Sequence, residues 1–298
     1  MRNCKSDNCK DKNSNCSILG SDSLPVQCVG SWAEDKYFYL EKYLNASREA
    51  RRKFSDRGNA VFIDLFAGPG KCVIRYEDKE IDGGGIKALN RDEAPFNEYY
   101  YFDINETNVK ALEKRTSKSS NCHIKCGDSN VLINDLVKKL LGYRFNRYHF
   151  AYIDPFGPDA LKFNTIRELA KLQRMDMLIH FPIGAIKRNI PNWIDKPNNI
   201  LNEFLGTNKW RDKSNIKMIY DKTYRILVDI YKEQLLSVGY PEGGLKFSEE
   251  DILPVVSVKN TKDRDLYALI LVSKDIKLAQ KIWNSIIKSN LDGQGSLF

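Results

Sequence analysis

The 298-residue chain lacks most of the features that assign a protein to a class on their own. No apolar run approaches the roughly 20 residues that a membrane-spanning helix needs, which leaves a globular reading. The opening stretch "MRNCKSDNCKDKNSNC" has no apolar segment of secretory type, so the expected compartment is the cytoplasm. Histidine is scarce: His123, His149 and His180 each sit in a strand-like run, and no two have metal-ligand spacing. There is no CxxC pair, and seven cysteines, an odd number, suit reduced thiols better than a disulfide framework. No metal is expected. A long Lys/Arg block is missing too, so the net charge of +8 allows a polyanionic partner without supplying a dedicated basic arm.

What the chain does contain is alternation. "AVFIDLF", "EYYYFDI", "NCHIKCGD", "YHFAYIDP" and "MDMLIHFP" are short β-branched or aromatic runs. Between them lie helix-like stretches: "ETNVKALEKRTS" with Val109 and Leu112 on one face, "SNVLINDLVKKLL", and "NTIRELAKL" with Asn164 as its expected cap. Such alternation predicts an α/β fold, a doubly wound and mostly parallel sheet with right-handed crossovers. "ILPVVSVKN" and "LYALILVSK" read as a C-terminal antiparallel hairpin. Residues 1–29 are expected to form a flexible polar leader, 30–290 one domain with a helical insertion at about 184–245, and 291–298 a loose tail.

Asp64, Asp103, Asp128 and Asp154 each fall at or just past the end of a predicted strand, on one end of a parallel sheet. One such acid is commonly a cap or turn former. Four on one end repel each other unless a ligand or hydrogen-bond donors compensate. Ligands of open α/β sheets bind there. In "FAGPG", Gly68 and Gly70 let backbone approach a bound molecule and adopt positive φ. A nucleoside-bearing ligand fits the set. Asp103 is placed to accept both ribose hydroxyls and Asp128 an exocyclic adenine amine, while Asp64 either orients the turn or accepts from an ammonium group. A dinucleotide-binding reading is disfavoured, because the glycines run into "KCVIRYEDKEID" and a helix can start only at "GGGIKALN".

In "AYIDPFGPDAL", Pro155 stiffens the backbone after Asp154, so that the carboxylate and the proline carbonyl can hold an amino group. Phe156 offers a stacking face and Gly157 lets the chain turn away. Orientation of this kind suits methyl transfer to nitrogen; a strand-ending Asp-Pro turn with a core Phe is the plain alternative. Lys187, Arg188, Lys209, Trp210, Arg211 and Lys213 mix cations with an aromatic, a combination that holds nucleic acid and that a solvated helix surface also produces.

The ordered series "VFIDLFAGPG", "YYFDIN", "CGDSN" and "IDPFG" resembles the motifs of class I S-adenosylmethionine-dependent methyltransferases, with their Rossmann-like fold. More specifically, "VGSWAEDKYFYLEKYL", "FIDLFAGPGKC", "YIDPFG" and "IHFPIGAIKRN" resemble the three-Cys-motif partner (TcmP) family across roughly residues 29 to 275. The resemblance implies S-adenosylmethionine held by Asp64, Phe66, Gly68, Gly70, Asp103 and Asp128. It implies Asp154, Pro155, Phe156 and Gly157 as the catalytic segment. "DPFG" is also similar to the catalytic segment of tRNA guanine-N2 dimethyltransferases and to the "DPPY" and "NPPY" motifs of amino-methylating DNA enzymes. Here Phe156 stands where those have the second proline, and Gly157 where they have the stacking aromatic. The expectation is a methyltransferase acting on an amino nitrogen of RNA or DNA, with a non-catalytic partner of a radical-enzyme-like three-Cys-motif protein as the alternative.

Overall fold

The computed structural model describes residues 15–77, 79–91, 93–144, 146–194, 200–221, 225–246, 257–259 and 265–293. In chain order the first elements are β1 (Gln27–Val29), α1 (Trp32–Ala46), α2 (Arg48–Ser55), β2 (Ala60–Asp64), β3 (Lys71–Ile74), β4 (Lys79–Asp82) and α3 (Gly84–Leu89). There follow β5 (Glu98–Asp103), α4 (Glu106–Thr116), β6 (Cys122–Cys126), α5 (Ser129–Leu141), β7 (Tyr148–Ile153), α6 (Phe163–Ala170), β8 (Met175–Phe181) and α7 (Ile183–Ile194). The last are α8 (Ile200–Leu205), α9 (Lys213–Tyr220), α10 (Arg225–Ser237), β9 (Leu245–Lys246), β10 (Ser257–Lys259), β11 (Asp265–Val272) and α11 (Ile276–Gly293). The fold is α/β. Two compact units form: Met1–Ser129 with Phe145–Ile153 and Lys281–Phe298, and Asn130–Arg144 with Asp154–Gln280.

In the first unit, four parallel strands run in the order β7, β2, β5, β6, with Ile63 level with both Ala151 and Tyr100. Every residue of β2 and β7 is buried, as expected of parallel strands covered on both faces. The core is aromatic. Phe62 has the rings of Phe96 and Phe150 5.4 and 5.8 Å away, and Tyr43 stacks on Phe150 at 3.8 Å. Arg51 is buried in the same region and donates to Ala94 O, Leu44 O and Ser47 Oγ, so its charge is held by oxygen acceptors in place of water. Burial pulls its guanidinium below the ordinary value.

A second, smaller sheet joins β1, β3 and β4. It adds one feature to the sequence reading and departs from that reading in another. The stretch after the glycine turn is a β-hairpin closed through Tyr76, a non-glycine residue at φ +70°. The supposed flexible leader is packed from residue 15 onward: Cys16 N donates to Val26 O at 2.8 Å, and Cys16, Val26 and Cys28 pack with Val73. The earlier cysteines, Cys4 and Cys9, lie outside the described residues. No disulfide forms among the described cysteines, and burial pushes the Cys122 thiol up to about 11.

In the second unit, β8 pairs antiparallel with β11 from Met177/Val272 to Phe181/Ala268, and β10 pairs antiparallel with β11. The hairpin is therefore present, although the "ILPVV" part of its first arm lies outside the described residues. Phe163, Phe181, Phe204 and Tyr231 form the core, with Phe204 and Tyr231 stacked at 5.5 Å. Helix α6 begins two residues earlier than expected: Lys162, not Asn164, is the cap residue, and Asn164 lies in the first turn. Among the described residues no helix is long and apolar enough to cross a membrane.

Candidate functional site

The carboxyl ends of β2 and β5 lie side by side, and the loop after β2 is tied to the end of β5. Asp64 and Asp103 are the last residues of their strands. Asp64 is 2% exposed; its Oδ1 accepts from Phe66 N at 3.1 Å, and its Oδ2 lies 3.3 Å from where a Cβ on Gly85 would stand. The bond from Phe66 N shapes the start of the turn after β2. The loop then reaches β5: Ala67 N donates to Phe102 O at 2.9 Å and Gly68 N to Asp103 Oδ2 at 2.9 Å.

Gly68 and Gly70 both have positive φ, +59° and +88°, which a side chain would strain. They differ in surroundings. A Cβ on Gly70 would stand 2.8 Å from Leu112 Cδ1, so Gly70 is there for packing. A Cβ on Gly68 would meet only the Gln27 carboxamide, at 3.4 Å, so space remains beside the Gly68 backbone.

Asp103 is more heavily engaged than its sequence position implies. Oδ1 accepts from Asn105 N (2.8 Å) and Asn108 Nδ2 (3.1 Å), while Oδ2 accepts from Gly68 N. A carboxylate has about four lone-pair sites, so one on Oδ2 remains for a ligand donor. Burial raises its carboxyl pKa, and the three hydrogen bonds oppose that rise. Asn105 also accepts from Thr107 N and so caps α4, which fixes the residues after Asp103.

Asp128 lies two residues past β6 and is exposed. In the second unit, Asp154 follows β7 and is half-buried, Pro155 and Gly157 are buried, and Phe156 is 60% exposed. Phe156 is therefore not a core residue. Asn130 steadies the segment beyond it by donating to Ala160 O and accepting from Lys162 N and Thr165 Oγ1.

Four residues here escaped the sequence reading. Ile104, next to Asp103, is 76% exposed and offers an apolar surface at the end of β5; an isoleucine after a strand-ending acid was the available signal. Asn108, Asn130 and Gln27 act through hydrogen bonds that no local pattern announces. Conversely, Trp210 of the cation-rich insertion is fully buried, with Nε1 donating to Asn202 Oδ1 at 2.7 Å. Arg211 packs over its ring and donates to Trp193 O and Ile194 O. The stacking platform expected there belongs to the core. Lys209 is exposed and pairs with Glu233. Among the described residues, no cluster of His, Cys, Asp or Glu could hold a metal ion.

No protein-family model and no curated protein matches the chain. Solved structures similar to it include Trm1 from Pyrococcus horikoshii in complex with S-adenosyl-L-methionine (14% identity, 82% of this chain and 58% of that one, TM-score 0.39). An rRNA methylase from Streptococcus thermophilus is 11% identical over 75% of this chain and 94% of that one, at a TM-score of 0.35. Protein LPL1258 from Legionella pneumophila is 8% identical over 87% and 94%, at 0.48. The chain spans 48% to 58% of the length of three of the similar structures. None of these likenesses assigns it to a family.

Proposed function

We propose that the protein binds S-adenosylmethionine at the end of β2 and β5 and transfers its methyl group to an amino nitrogen of nucleic acid. The observation that carries the cofactor assignment is the bond from Gly68 N to Asp103 Oδ2, made in a positive-φ turn that leaves space beside Gly68. That gap fits a ligand passing close to backbone, and the lone-pair site left on Asp103 fits a ribose hydroxyl. Ile104 supplies apolar surface for the base, and exposed Asp128 an acceptor for its exocyclic amine. When bound, the cofactor would supply an electrophilic methyl carbon: the acceptor nitrogen's lone pair would form the new C–N bond as the C–S bond breaks, S-adenosylhomocysteine would leave, and the nitrogen would give up one proton to solvent.

Asp154 and the Pro155 carbonyl accept hydrogen bonds from the acceptor's amino group and so fix the direction of its lone pair. Phe156 stacks on the acceptor's heterocycle, a role for which its exposure leaves the ring open. Membership of the three-Cys-motif partner family is part of this proposal, supported by the four segments quoted above. Calorimetric titration with S-adenosylmethionine tests the cofactor assignment: uptake is expected, and folded protein that takes up none refutes it. Mass spectrometry of nucleic acid from cells carrying the native chain or Asp154→Ala then identifies the acceptor.

A further inference from the structure

Gln27 stands at the gap beside Gly68 and belongs to neither of the strands whose ends make the site. Its Oε1 lies 3.4 Å from where a Cβ on Gly68 would be, and it accepts, at 3.8 Å, from the Cys72 thiol. That contact orients the carboxamide, and its NH2 has no hydrogen-bond acceptor among the described residues. The residue is half-buried and held in β1, whose neighbours in sequence are fastened to the glycine turn by one side chain. Arg115 at the end of α4 donates to both oxygens of Asp22 (2.8 and 2.9 Å), to Pro25 O (2.8 Å) and to Pro69 O (2.6 Å). Pro69 lies between the two turn glycines, so the leader and the turn are parts of one rigid construction.

The order of strands sets which part of the ligand Gln27 meets. Across the sheet end run β6 with Asp128 just beyond it, β5 with Asp103, and β2 with the glycine turn. With the base toward β6 and the ribose at β5, the 5′ substituent points to the turn after β2. We infer that Gln27 recognises the amino acid tail of the cofactor, donating its NH2 to the tail carboxylate. This rests on the cofactor assignment above and adds a recognition element contributed by the N-terminal segment. A carboxamide donor suits a carboxylate, and a charged acceptor makes the bond stronger than a neutral one.

The test compares two ligands that share adenosine and differ in the tail. S-adenosylhomocysteine carries the amino acid; 5′-methylthioadenosine has a methyl in its place. Gln27→Ala is expected to weaken S-adenosylhomocysteine roughly tenfold in calorimetry and 5′-methylthioadenosine less than about twofold. Gln27→Glu, which sets a carboxylate against a carboxylate, is expected to weaken S-adenosylhomocysteine further still while sparing 5′-methylthioadenosine. Thermal melts of both variants establish that the fold is kept. Equal weakening of the two ligands, or no weakening of either, overturns the role of Gln27 and leaves the cofactor assignment standing. Native protein that binds neither ligand overturns the cofactor assignment and this inference with it.

Discussion

Replacing Arg115 by Ala should release the leader while leaving most of the fold in place. The side chain is 5% exposed and Asp22 30% exposed, so the pair is shielded on one side and partly solvated on the other. A charge-assisted hydrogen bond contributes about 1.5 to 3 kcal/mol when well buried. Solvation of Asp22 reduces the two bonds to it to about 1 to 2 kcal/mol together. Loss of the donor to Pro25 O and Pro69 O adds about 1 kcal/mol each. The total, about 3 to 4 kcal/mol, is a local opening energy, because what the clamp holds is the segment around β1. Hydrogen exchange read on peptides covering residues 15–29 reports it through the Cys16 amide that bonds Val26 O. Exchange should be at least about a hundredfold faster, since each 1.4 kcal/mol is tenfold. Protection within about threefold of the native chain would refute the clamp. Acidity gives a second check. The hydrogen bond from Arg115 holds the Asp22 carboxyl below its ordinary value of 3.8, so its stabilisation is full above that pH and is lost as pH falls through the lower, folded value. Arg115→Ala should weaken that pH dependence, leaving the smaller lowering by the Leu24 N–H and the Lys71 charge.

Asp154→Ala should abolish methyl transfer while calorimetric uptake of S-adenosylmethionine stays within about twofold; equal loss of both would refute the acceptor role. Gly70→Ala, at φ +88° and 2.8 Å from Leu112 Cδ1, should cost about 1 to 3 kcal/mol in denaturant unfolding. Trp210→Ala should cost about 3 to 5 kcal/mol by the same measurement, whereas an unchanged stability would return Trp210 to the surface. Burial raises the Asp103 carboxyl pKa, and only the ionised form accepts from a hydroxyl without competition from its own proton. Cofactor affinity should therefore fall on acidification from a pH above the ordinary carboxylate value of 3.8, and Asp103→Asn should remove that dependence.

The acids at strand ends were legible because a buried strand and the polar residue that stops it form a local pattern. Asp64 and Asp103 end their strands as read, and Val109 and Leu112 bury the face of α4 that their spacing implies. What sequence could not deliver was partnership at a distance. Three residues, "QCV", are too few to announce β1, which forms because Cys72, Val73 and Ile74 pair with it. The β3–β4 hairpin hides behind Tyr76, since the left-handed turn is made without the glycine or asparagine that would signal it. Arg115 at a helix end looks like a cation complementing the helix dipole, and Trp210 among lysines looks like a surface ring. In both cases the deciding neighbour is far away in sequence or follows a break in pattern.

The clamp between Asp22 and Arg115 closes a span of 93 residues, which bears on how the protein is made. During synthesis β1 emerges before its pairing partner β3, and its anchor follows only when α4 has left the ribosome. Until then the residues that line the glycine gap are not assembled. A shortened version starting at Val29, where the first of the quoted segments begins, would retain every motif yet bury a guanidinium whose carboxylate had been cut away.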